Sequence, residues 1–315
     1  MASSVRLGHG QLLLGDCLSV LSALDPAVCG SFDLAYIDPP FNAGGERGAR
    51  QKKGERVSGE VAYKDAWGGL EAFLAMLEPR LIAVREALSP IGSLWLHLDH
   101  RAVHDAKVLT DRVFGRGAFQ GEVIWVPGNG GKRRTGPSVT HQTILIYARG
   151  REMIWNGDDP ALRERHAETS LRMHFQNVDA DGRHYRDRHV AGKTYRYYAD
   201  LGRRIGSVWS DCPSMRANTP LIKEATGYPT QKPETLLARI VRAATRENSL
   251  VLDPMHGSGT TLAAAERLSR GWLGIDQSPL AHRTAKSRLS ALCAQLGNAD
   301  ANASTDVDVN AHDPA

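Results

Sequence analysis

Short runs of apolar residues recur along the chain, and between them lie longer segments with apolar residues three or four positions apart. Short runs bounded by turn residues indicate buried strands, and the wider spacing indicates helices. The predicted strands are residues 11–14, 34–37, 93–98, 122–126, 143–147, 250–252 and 272–275. The alternation of the two patterns predicts an α/β fold with a largely parallel sheet.

Helical spacing is clearest at residues 70–88, 234–245 and 261–268. Pro79 is a candidate kink in the first helix, and Pro233 opens the second where a missing N–H costs nothing. Other segments break the alternation. They are a stretch rich in Gly, Lys and Arg that predicts a mobile loop (43–60), an Arg- and His-rich segment with interspersed aromatics (151–214), and a polar tail predicted to be disordered (297–315).

The composition is that of a globular protein with its own core, since 42% of the 315 residues are hydrophobic and 23% are charged. The formal net charge of +4 is too small to indicate a nucleic-acid partner by itself. The cysteines are scattered and the histidines lack metal-ligand spacing, so we predict neither disulfides nor a metal site. Without a signal peptide or a membrane-length apolar run, a cytoplasmic protein is expected.

The first candidate site is Asp38-Pro39-Pro40-Phe41, directly after the predicted strand 34–37. Open α/β sheets bind ligands at the carboxyl ends of their strands. The prolines stiffen the turn and leave its carbonyls free to accept hydrogen bonds. A carboxylate and a carbonyl that accept from an aromatic amine would free its lone pair, and Phe41 would stack on the base. The motif therefore predicts chemistry on a base amine, against the alternative of a stiff surface loop.

The second candidate site is a glycine loop between a strand and a helix, Asp253-Pro254-Met255-His256-Gly257-Ser258-Gly259-Thr260-Thr261. No lysine follows Gly259, so the loop is not a phosphate-binding P-loop, and the third glycine of a dinucleotide fingerprint is absent. Asp276 ends the next predicted strand, where an acid accepts from ribose hydroxyls. The pattern favours a ligand with a carboxylate and a ribose but no pyrophosphate, and S-adenosylmethionine fits better than ATP or NAD.

With these motifs the chain resembles the β-class amino-methyltransferases of DNA, particularly the adenine-N6 enzymes of restriction-modification systems. The matching segments, in the order of that class, are Gly15-Asp16-Cys17-Leu18, Asp38-Pro39-Pro40-Phe41-Asn42, residues 92–99, residues 227–234, Asp253 to Thr261, and Gly274-Ile275-Asp276. The resemblance implies a Rossmann-like methyltransferase fold with a seven-stranded mixed sheet and the permuted motif order. It divides the chain into a target-amine half (1–150), a target-recognition insert (151–214), a cofactor half of the same domain (215–296) and the tail (297–315).

The resemblance also implies roles for individual residues. The implied catalytic residues are Asp38, Pro39, Pro40 and Phe41. The residues implied to bind S-adenosylmethionine are Asp16, Cys17, Thr230, Gln231, Lys232, Asp253, Pro254, Met255, Gly257, Ser258, Gly259, Thr260 and Asp276. Asp16 would accept from the cofactor's adenine amine, Asp276 would hold its ribose, and Lys232 would pair with its carboxylate. Met255 departs from the family pattern, which commonly has phenylalanine there.

The implied substrate is double-stranded DNA, from which the target base is flipped into the active site. Arginines and tyrosines in residues 151–214 predict contacts to phosphates and bases, and a solvated insert is the alternative. A homodimer and a cognate restriction endonuclease are further partners that the resemblance suggests. Asp38 favours adenine N6, with cytosine N4 as the second choice. A non-catalytic DNA-binding subunit, and methylation of RNA or a protein amide, remain alternatives.

Overall fold

The computed structural model describes residues 3–40, 46–50, 56–64, 68–128, 133–215 and 224–297, with the backbone alone for 46–50 and 56–64. The chain divides into two compact units. The large unit comprises Met1–Trp155 and Val208–Ala315, and the inserted unit comprises Asn156–Ser207. No helix in the described ranges is both long enough and apolar enough to span a bilayer.

The described ranges form both strands and α-helices, numbered in chain order. The strands are β1 (Ser3–Leu7), β2 (Gly10–Leu14), β3 (Phe32–Ile37), β4 (Glu46–Arg50), β5 (Arg56–Lys64), β6 (Leu88–Leu98), β7 (Phe119–Trp125), β8 (Gln142–Ala148), β9 (Arg163–Glu164), β10 (Asn177–Val178), β11 (His184–Val190), β12 (Lys193–Tyr198), β13 (Arg203–Arg204), β14 (Val208–Trp209), β15 (Leu250–Asp253) and β16 (Gly271–Asp276). The α-helices are α1 (Cys17–Ser22), α2 (Leu70–Ala87), α3 (Val103–Phe114), α4 (Glu168–His174), α5 (Glu234–Ala244), α6 (Thr260–Arg267) and α7 (Pro279–Leu296).

The main sheet of the large unit has the strand order β1-β2-β16-β15-β3-β6-β8-β7-β14. The central strands β2, β16, β15, β3 and β6 run parallel to one another. Strand β1 is antiparallel to β2, and β8 is antiparallel to both β6 and β7. Helices connect the parallel strands, so the predicted mixed α/β fold of the Rossmann-like type is confirmed.

All seven strands predicted from the apolar runs lie in this sheet, which has nine strands in the described residues instead of the expected seven. The two additional strands, β1 and β14, lie at its edges. In β1, exposed Ser4 and Arg6 alternate with half-buried Val5 and Leu7, so no continuous apolar run marks it. Strand β14 has only two residues, which is too short for a sequence pattern to reveal.

The core lies between the parallel strands and their helices. In β3, Phe32 and Leu34 to Ile37 are almost completely buried, as expected for a strand covered on both faces. Helix α2 packs Phe73, Leu77 and Leu81 into this core at helical spacing. The helix continues through Pro79, which the sequence had marked as a candidate kink.

The segment 43–60, predicted to be a mobile loop, contains β4 and part of β5, which pair antiparallel from Glu46↔Lys64 to Arg50↔Arg56. That prediction was wrong for the described part. The Gly, Lys and Arg content obscured an alternation of apolar residues at Val57, Val61 and Tyr63. The predicted disordered tail lies outside the described residues from position 298 onward.

Candidate active site

Two acidic residues meet at the carboxyl edge of the parallel strands. Asp38 follows β3 and Asp253 ends β15, and these strands are neighbours in the sheet. From β3 the chain passes through α2 to β6 on one side, and from β15 it passes through α6 to β16 on the other. Connections that diverge in this way leave a crevice between the two strands, which is where open α/β sheets bind ligands.

A cavity of about 560 Å³ opens at this edge, a size suited to a small-molecule ligand. The residues predicted from the sequence that line it are Asp16, Cys17, Asp38, Pro39, Pro40, Thr230, Gln231, Lys232, Asp253, Pro254, Met255, Gly257, Ser258, Thr260 and Asp276. The lining residues to which sequence analysis assigned no role are Tyr36, Met76, Arg80, Tyr228, Pro229, Leu237, His256, Thr261, Gln277, Ser278 and Pro279. Residues from both halves of the chain therefore share one cavity.

An ion pair lies across the two halves of the site. The ammonium of Lys232 contacts Oδ2 of Asp38, and the side chains are 8% and 20% exposed, respectively. Lys232 stands two residues before α5, whose start is fixed by Pro233. Sequence analysis predicted a cofactor carboxylate as the partner of Lys232, whereas the structure pairs it with the acid assigned to the target amine. A buried lysine with an anionic partner is more stable than one without.

Asp253 is the most deeply buried acid of the site, with 2% of its surface exposed. Burial, reinforced by the nearby charges of Asp38 and Asp276, raises the pKa of this carboxyl to about 7. Hydrogen bonds from the Thr261 side chain and from the Met255 amide, the latter at 3.2 Å, oppose this shift. The carboxyl therefore changes its charge close to neutral pH.

The glycine loop is held by Asp276 at the end of β16. The Gly257 amide donates to Oδ2 of Asp276 at 2.9 Å, and the Ser278 amide donates to Oδ1 at 2.8 Å. Gly257 has φ +50°, and a Cβ there would lie 3.2 Å from the Tyr228 ring. A side chain at position 257 would be strained by this backbone and would crowd the Tyr228 ring, which explains the glycine.

Gly259, which was predicted to bind the cofactor, is not among the lining residues that the structure describes. It precedes α6 with φ +72°, and a Cβ there would lie 2.8 Å from Cβ of Ala285 on α7. The requirement for glycine at position 259 is explained by its backbone conformation and by the close approach of α7. The predicted base-stacking residue, Phe41, lies outside the described residues.

Asp16 forms one wall of the cavity and also caps a helix. Its Oδ1 accepts from the amides of Leu18 and Ser19 at 3.1 and 3.2 Å, which makes it the N-cap of α1. Its Oδ2 pairs with the guanidinium of Arg80, a residue that sequence analysis missed. Neighbouring Cys17 is buried, and this burial raises the pKa of its thiol. Asp16 therefore lines the cavity while both of its carboxylate oxygens accept hydrogen bonds.

The segment before α5 is braced by its own side chains. The Gln231 amide oxygen accepts from the Thr226 amide at 3.0 Å, and its nitrogen donates to the Glu224 carbonyl at 2.9 Å. The Thr230 hydroxyl donates to the carbonyl of Pro229 at 2.7 Å. Gln231 therefore shapes the loop that delivers Lys232, in addition to lining the cavity.

A buried hydrogen bond lies behind the acids. The Tyr36 hydroxyl and Nδ1 of His97 are 2.7 Å apart, and both side chains are almost completely buried. Burial raises the pKa of Tyr36 well above its usual value and lowers the pKa of His97 well below its own. Both groups are therefore neutral at physiological pH. Sequence analysis missed this pair because the residues are 61 positions apart, and the segment 92–99 that contains His97 was matched without a role for that side chain.

The fold and the cavity together define the class of protein: an α/β protein of the Rossmann-like type with a candidate ligand site at the switch point of its sheet. A profile of the N6/N4 methyltransferase family, described as DNA methylase, matches residues 32–287. The chain belongs to this family of DNA methylases. The resemblance inferred from the motifs is thereby confirmed.

Two curated relatives are type II methyltransferases. The chain is 28% identical to M.EcaI of Enterobacter cloacae, over 90% of this chain and 70% of that protein. It is 26% identical to M2.DpnII of Streptococcus pneumoniae, over 89% of each. Both matches extend over nearly the whole chain, as the motif order had suggested.

Two solved structures share the fold. One is M1.HpyAVI in complex with SAM, with TM-score 0.54, 18% identity and coverage of 89% of this chain and 98% of that one. The other is the cytosine-N4-specific PvuII DNA methyltransferase, with TM-score 0.56, 15% identity and coverage of 95% and 98%. The PvuII enzyme is specific for cytosine N4, the target that sequence analysis ranked after adenine N6.

Proposed function

We propose that this DNA methylase transfers a methyl group from S-adenosylmethionine to N6 of adenine in duplex DNA, after the base is flipped out of the helix. The observation that carries the proposal is the single cavity that joins the Asp38 turn to the Asp253 loop and Asp276. A site that binds both a methyl donor and a target amine needs these two halves side by side.

The residues of the cavity fit this cofactor. Asp276 and Asp16 supply acceptors for hydroxyl and amine groups. Gly257 lines the cavity without a side chain that would take up the space of a ligand. The Asp253 carboxyl suits the positive charge of the cofactor's ammonium. When bound, S-adenosylmethionine supplies a methyl group on a sulfonium sulfur, and the bond to sulfur breaks as the bond to the amine nitrogen forms.

The chain's own residues would hold the amine for this transfer. The Asp38 carboxylate and the Pro39 carbonyl accept from its two N–H bonds and turn the nitrogen lone pair towards the methyl group. Asp38 would also accept the proton that the nitrogen loses on methylation. Phe41 is assigned the stacking role from the motif alone. Alignment of this kind contributes about 7–11 kcal/mol in favourable cases, so no strong general base is needed.

Lys232 has a double role in this proposal. Its ammonium stabilises the buried Asp38 carboxylate before the target base arrives. It also lines the cavity, where a carboxylate of the cofactor would offer it a second anion. Binding of the cofactor would then draw Lys232 towards the ligand and leave Asp38 available to the amine.

Adenine is proposed because Asp38 opens the motif, as in the adenine-N6 enzymes that the chain resembles. Cytosine N4 remains the second candidate, and the cytosine-N4-specific PvuII enzyme has the same fold. Both curated relatives are type II methyltransferases, which supports a restriction-modification role with a cognate endonuclease. A homodimer is proposed from the resemblance alone.

The test is nucleoside mass spectrometry on DNA from a methylation-free host that expresses the chain. We expect N6-methyladenine with the wild-type chain and none with Asp38→Ala, whose affinity for S-adenosylmethionine should stay close to wild type in calorimetry. N4-methylcytosine instead would reassign the base and keep the mechanism. Neither product, with folded protein present, would indicate a non-catalytic subunit or a substrate other than DNA.

A further inference from the structure

The inserted unit contains a small sheet with two chemically different faces. Strands β11 and β12 pair antiparallel from Tyr185↔Tyr198 to Val190↔Lys193, and β10 adds to β11. Directly opposed residues of an antiparallel pair point to the same face, and successive residues alternate. The register therefore sorts the side chains. One face, which we call the basic face, carries Arg186, Arg188, Val190, Lys193, Tyr195 and Tyr197. The other, which we call the paired face, carries Tyr185, Asp187, His189, Thr194, Arg196 and Tyr198.

The charges of the paired face are satisfied within the unit. Arg196 forms two hydrogen bonds to Asp187, at 2.9 and 3.0 Å, and stacks 3.8 Å above the Tyr185 ring. At the same end of the sheet, Arg183 binds both carboxylate oxygens of Asp200 at 3.0 Å. Bidentate pairs of this kind fix side chains in place and leave little net charge for a partner.

The basic face has the opposite character. It carries three cationic side chains and no acidic one. Arg188 and Lys193 are exposed, and within the part of the chain that the structure describes neither forms an ion pair. Arg186 is held between rings, 5.1 Å from Phe175 and 5.5 Å from Tyr197. Cations left without acids on one surface attract a polyanion.

Exposed apolar groups lie on the same face. The exposed large hydrophobic residues of this sheet, which the structure describes in full, are Val178, Val190, Tyr195 and Tyr197, at 52%, 46%, 47% and 41% exposure. Val178 joins the basic face because it is opposite His184, two positions before Arg186. Aromatic and apolar side chains beside unpaired cations are typical of surfaces that contact sugars, bases and phosphates together.

We propose that the basic face of β10, β11 and β12 binds duplex DNA, with Arg188 and Lys193 on phosphates and Tyr195 and Tyr197 packed against the groove. The proposal deepens the proposed function, on which it rests for the choice of DNA as the polyanion. It assigns DNA binding to one face of the insert, whereas the amino-acid composition predicted DNA contacts for the segment 151–214 as a whole. The paired face serves to hold the sheet together.

The test compares four double variants of the full chain by fluorescence anisotropy with a labelled duplex of arbitrary sequence, over a series of salt concentrations. R188A/K193A removes two charges from the basic face. H189A/T194A alters the opposed pair that lies between Arg188 and Lys193 along the strands but points to the paired face. R112A/R246A removes two exposed charges from the large unit, near the end of α3 and before β15, on the edge opposite the cavity.

Each phosphate contact contributes a slope of about −0.9 to log K against log salt. R188A/K193A should therefore lose about 1.8 from the magnitude of that slope and bind about ten-fold more weakly at low salt. The two control variants should keep the wild-type slope. Y195A/Y197A should weaken binding at an unchanged slope, since no charge is lost. Calorimetry with S-adenosylmethionine confirms that each variant is folded.

The proposal is overturned if R188A/K193A keeps the wild-type slope, or if R112A/R246A loses as much. It is also overturned if the variant alters self-association in light scattering while DNA binding stays intact, because the face would then bind protein. Failure of the proposed function would be distinguishable from failure of this proposal. In that case wild-type protein would yield no methylated base in mass spectrometry, whereas anisotropy would still measure the effect of each variant on DNA affinity.

Discussion

At the scale of single residues, Lys232 holds the site together electrostatically. A buried carboxylate loses the water that stabilises its charge, and an adjacent ammonium restores that stabilisation. The contact between Lys232 and Asp38 joins segments that are 194 positions apart. The acid that we propose to orient the target amine therefore has a cation beside it in the structure.

Replacement of Lys232 by methionine should impair methyl transfer. The variant leaves Asp38 without its cation, and we expect the single-turnover rate to fall by about a hundred-fold, equivalent to ~2.7 kcal/mol. Lys232→Arg keeps the charge and should recover part of the rate. Lys286→Met, at an exposed position on α7, is the matched control and should behave as wild type. Equal rates for Lys232→Met and wild type would show that the pair has no part in transfer.

Asp253 should make stability depend on pH. Its pKa rises from an ordinary 3.8 to about 7 in the folded chain, first because of burial. Between these values the folded chain keeps a proton that the unfolded chain has released, so stability falls as pH rises through this window. The loss amounts to about 3 kcal/mol between pH 4 and 7.

The measurement is urea unfolding of wild type and Asp253→Asn over that pH range. Asparagine resembles the protonated acid and cannot ionise, so the variant should be increasingly more stable than wild type as pH rises from 4 to 7. Subtraction of the two curves cancels every other titrating group that the variants share. A difference that does not vary with pH would show that Asp253 titrates at its ordinary value.

Sequence patterns located the acids of the site but not the residues that support them. Asp38, Asp253 and Asp276 were found because each follows a recognisable apolar run. Arg80 is 64 positions from Asp16, and its neighbourhood reads as an ordinary amphipathic helix. Tyr36 lies inside the predicted strand 34–37, and nothing in the sequence sets it apart from the other residues of that strand. Side chains that reach a site from the interior of regular elements carry no local signal.

At the scale of elements, Glu266 of α6 anchors the first hairpin. This carboxylate is almost completely buried, and it accepts from the His9 amide at 2.9 Å and from Nε1 of Trp272 at 2.8 Å. Its other oxygen lies 2.9 Å from Nδ1 of His9. The turn between β1 and β2 is thus bound to the helix that begins at the glycine loop, so the edge of the sheet supports the proposed cofactor half.

Glu266→Ala should destabilise the chain by about 3–5 kcal/mol, because the buried indole N–H of Trp272 and the part-buried amide of His9 lose their acceptor. Glu266→Gln retains an acceptor and should cost less, about 1–2 kcal/mol. Urea unfolding measures both, and hydrogen exchange should quicken in β1. Glu71→Ala, at an exposed position in the first turn of α2, is the control and should change stability by less than about 0.5 kcal/mol. Unchanged stability in Glu266→Ala would contradict the anchoring role.

Elements were predictable where burial imposed a pattern. The central parallel strands are covered on both faces, and their continuous apolar runs located them to within a few residues. Strands β11 and β12 escaped prediction because both are largely exposed and carry charges at most positions. Helix α7 was also missed, although Ser278 caps it through the Ala281 amide and Gly297 ends it with φ +73°. Those cap signals are present in the sequence and would have located the helix.

At the scale of the whole molecule, the permuted order of motifs has a structural consequence. The proposed target-amine motif lies early in the chain and the proposed cofactor loop late, and β3 and β15 bring them together as neighbours. The inserted unit lies between these halves in sequence. Its limits, Asn156–Ser207, are narrower than the predicted segment 151–214, because Trp155 and the stretch from Val208 belong to the large unit. Composition marked the insert, and only packing could set its ends.

Those ends make the insert removable. Trp155 and Trp209 both pack on Trp95, with ring centroids at 6.5 and 6.3 Å, so the two points where the chain leaves and re-enters the large unit are close together. One end is fixed by the Ile154 amide, which donates to the Ile91 carbonyl at 3.0 Å. A short Gly-Ser linker from Trp155 to Val208 can therefore replace residues 156–207 without stretching the sheet.

The shortened chain should fold and keep its cofactor site while losing DNA. Every lining residue of the cavity lies in the large unit, so calorimetry should give an affinity for S-adenosylmethionine within about three-fold of wild type, or ~0.7 kcal/mol. Duplex binding at low salt should fall sharply, because the basic face is gone. Loss of cooperative unfolding in urea would mean that the insert supports the fold. Retention of full DNA affinity would mean that the large unit alone holds the duplex. Measuring unfolding and DNA binding on the same shortened chain separates the contribution of the insert to folding from its contribution to binding.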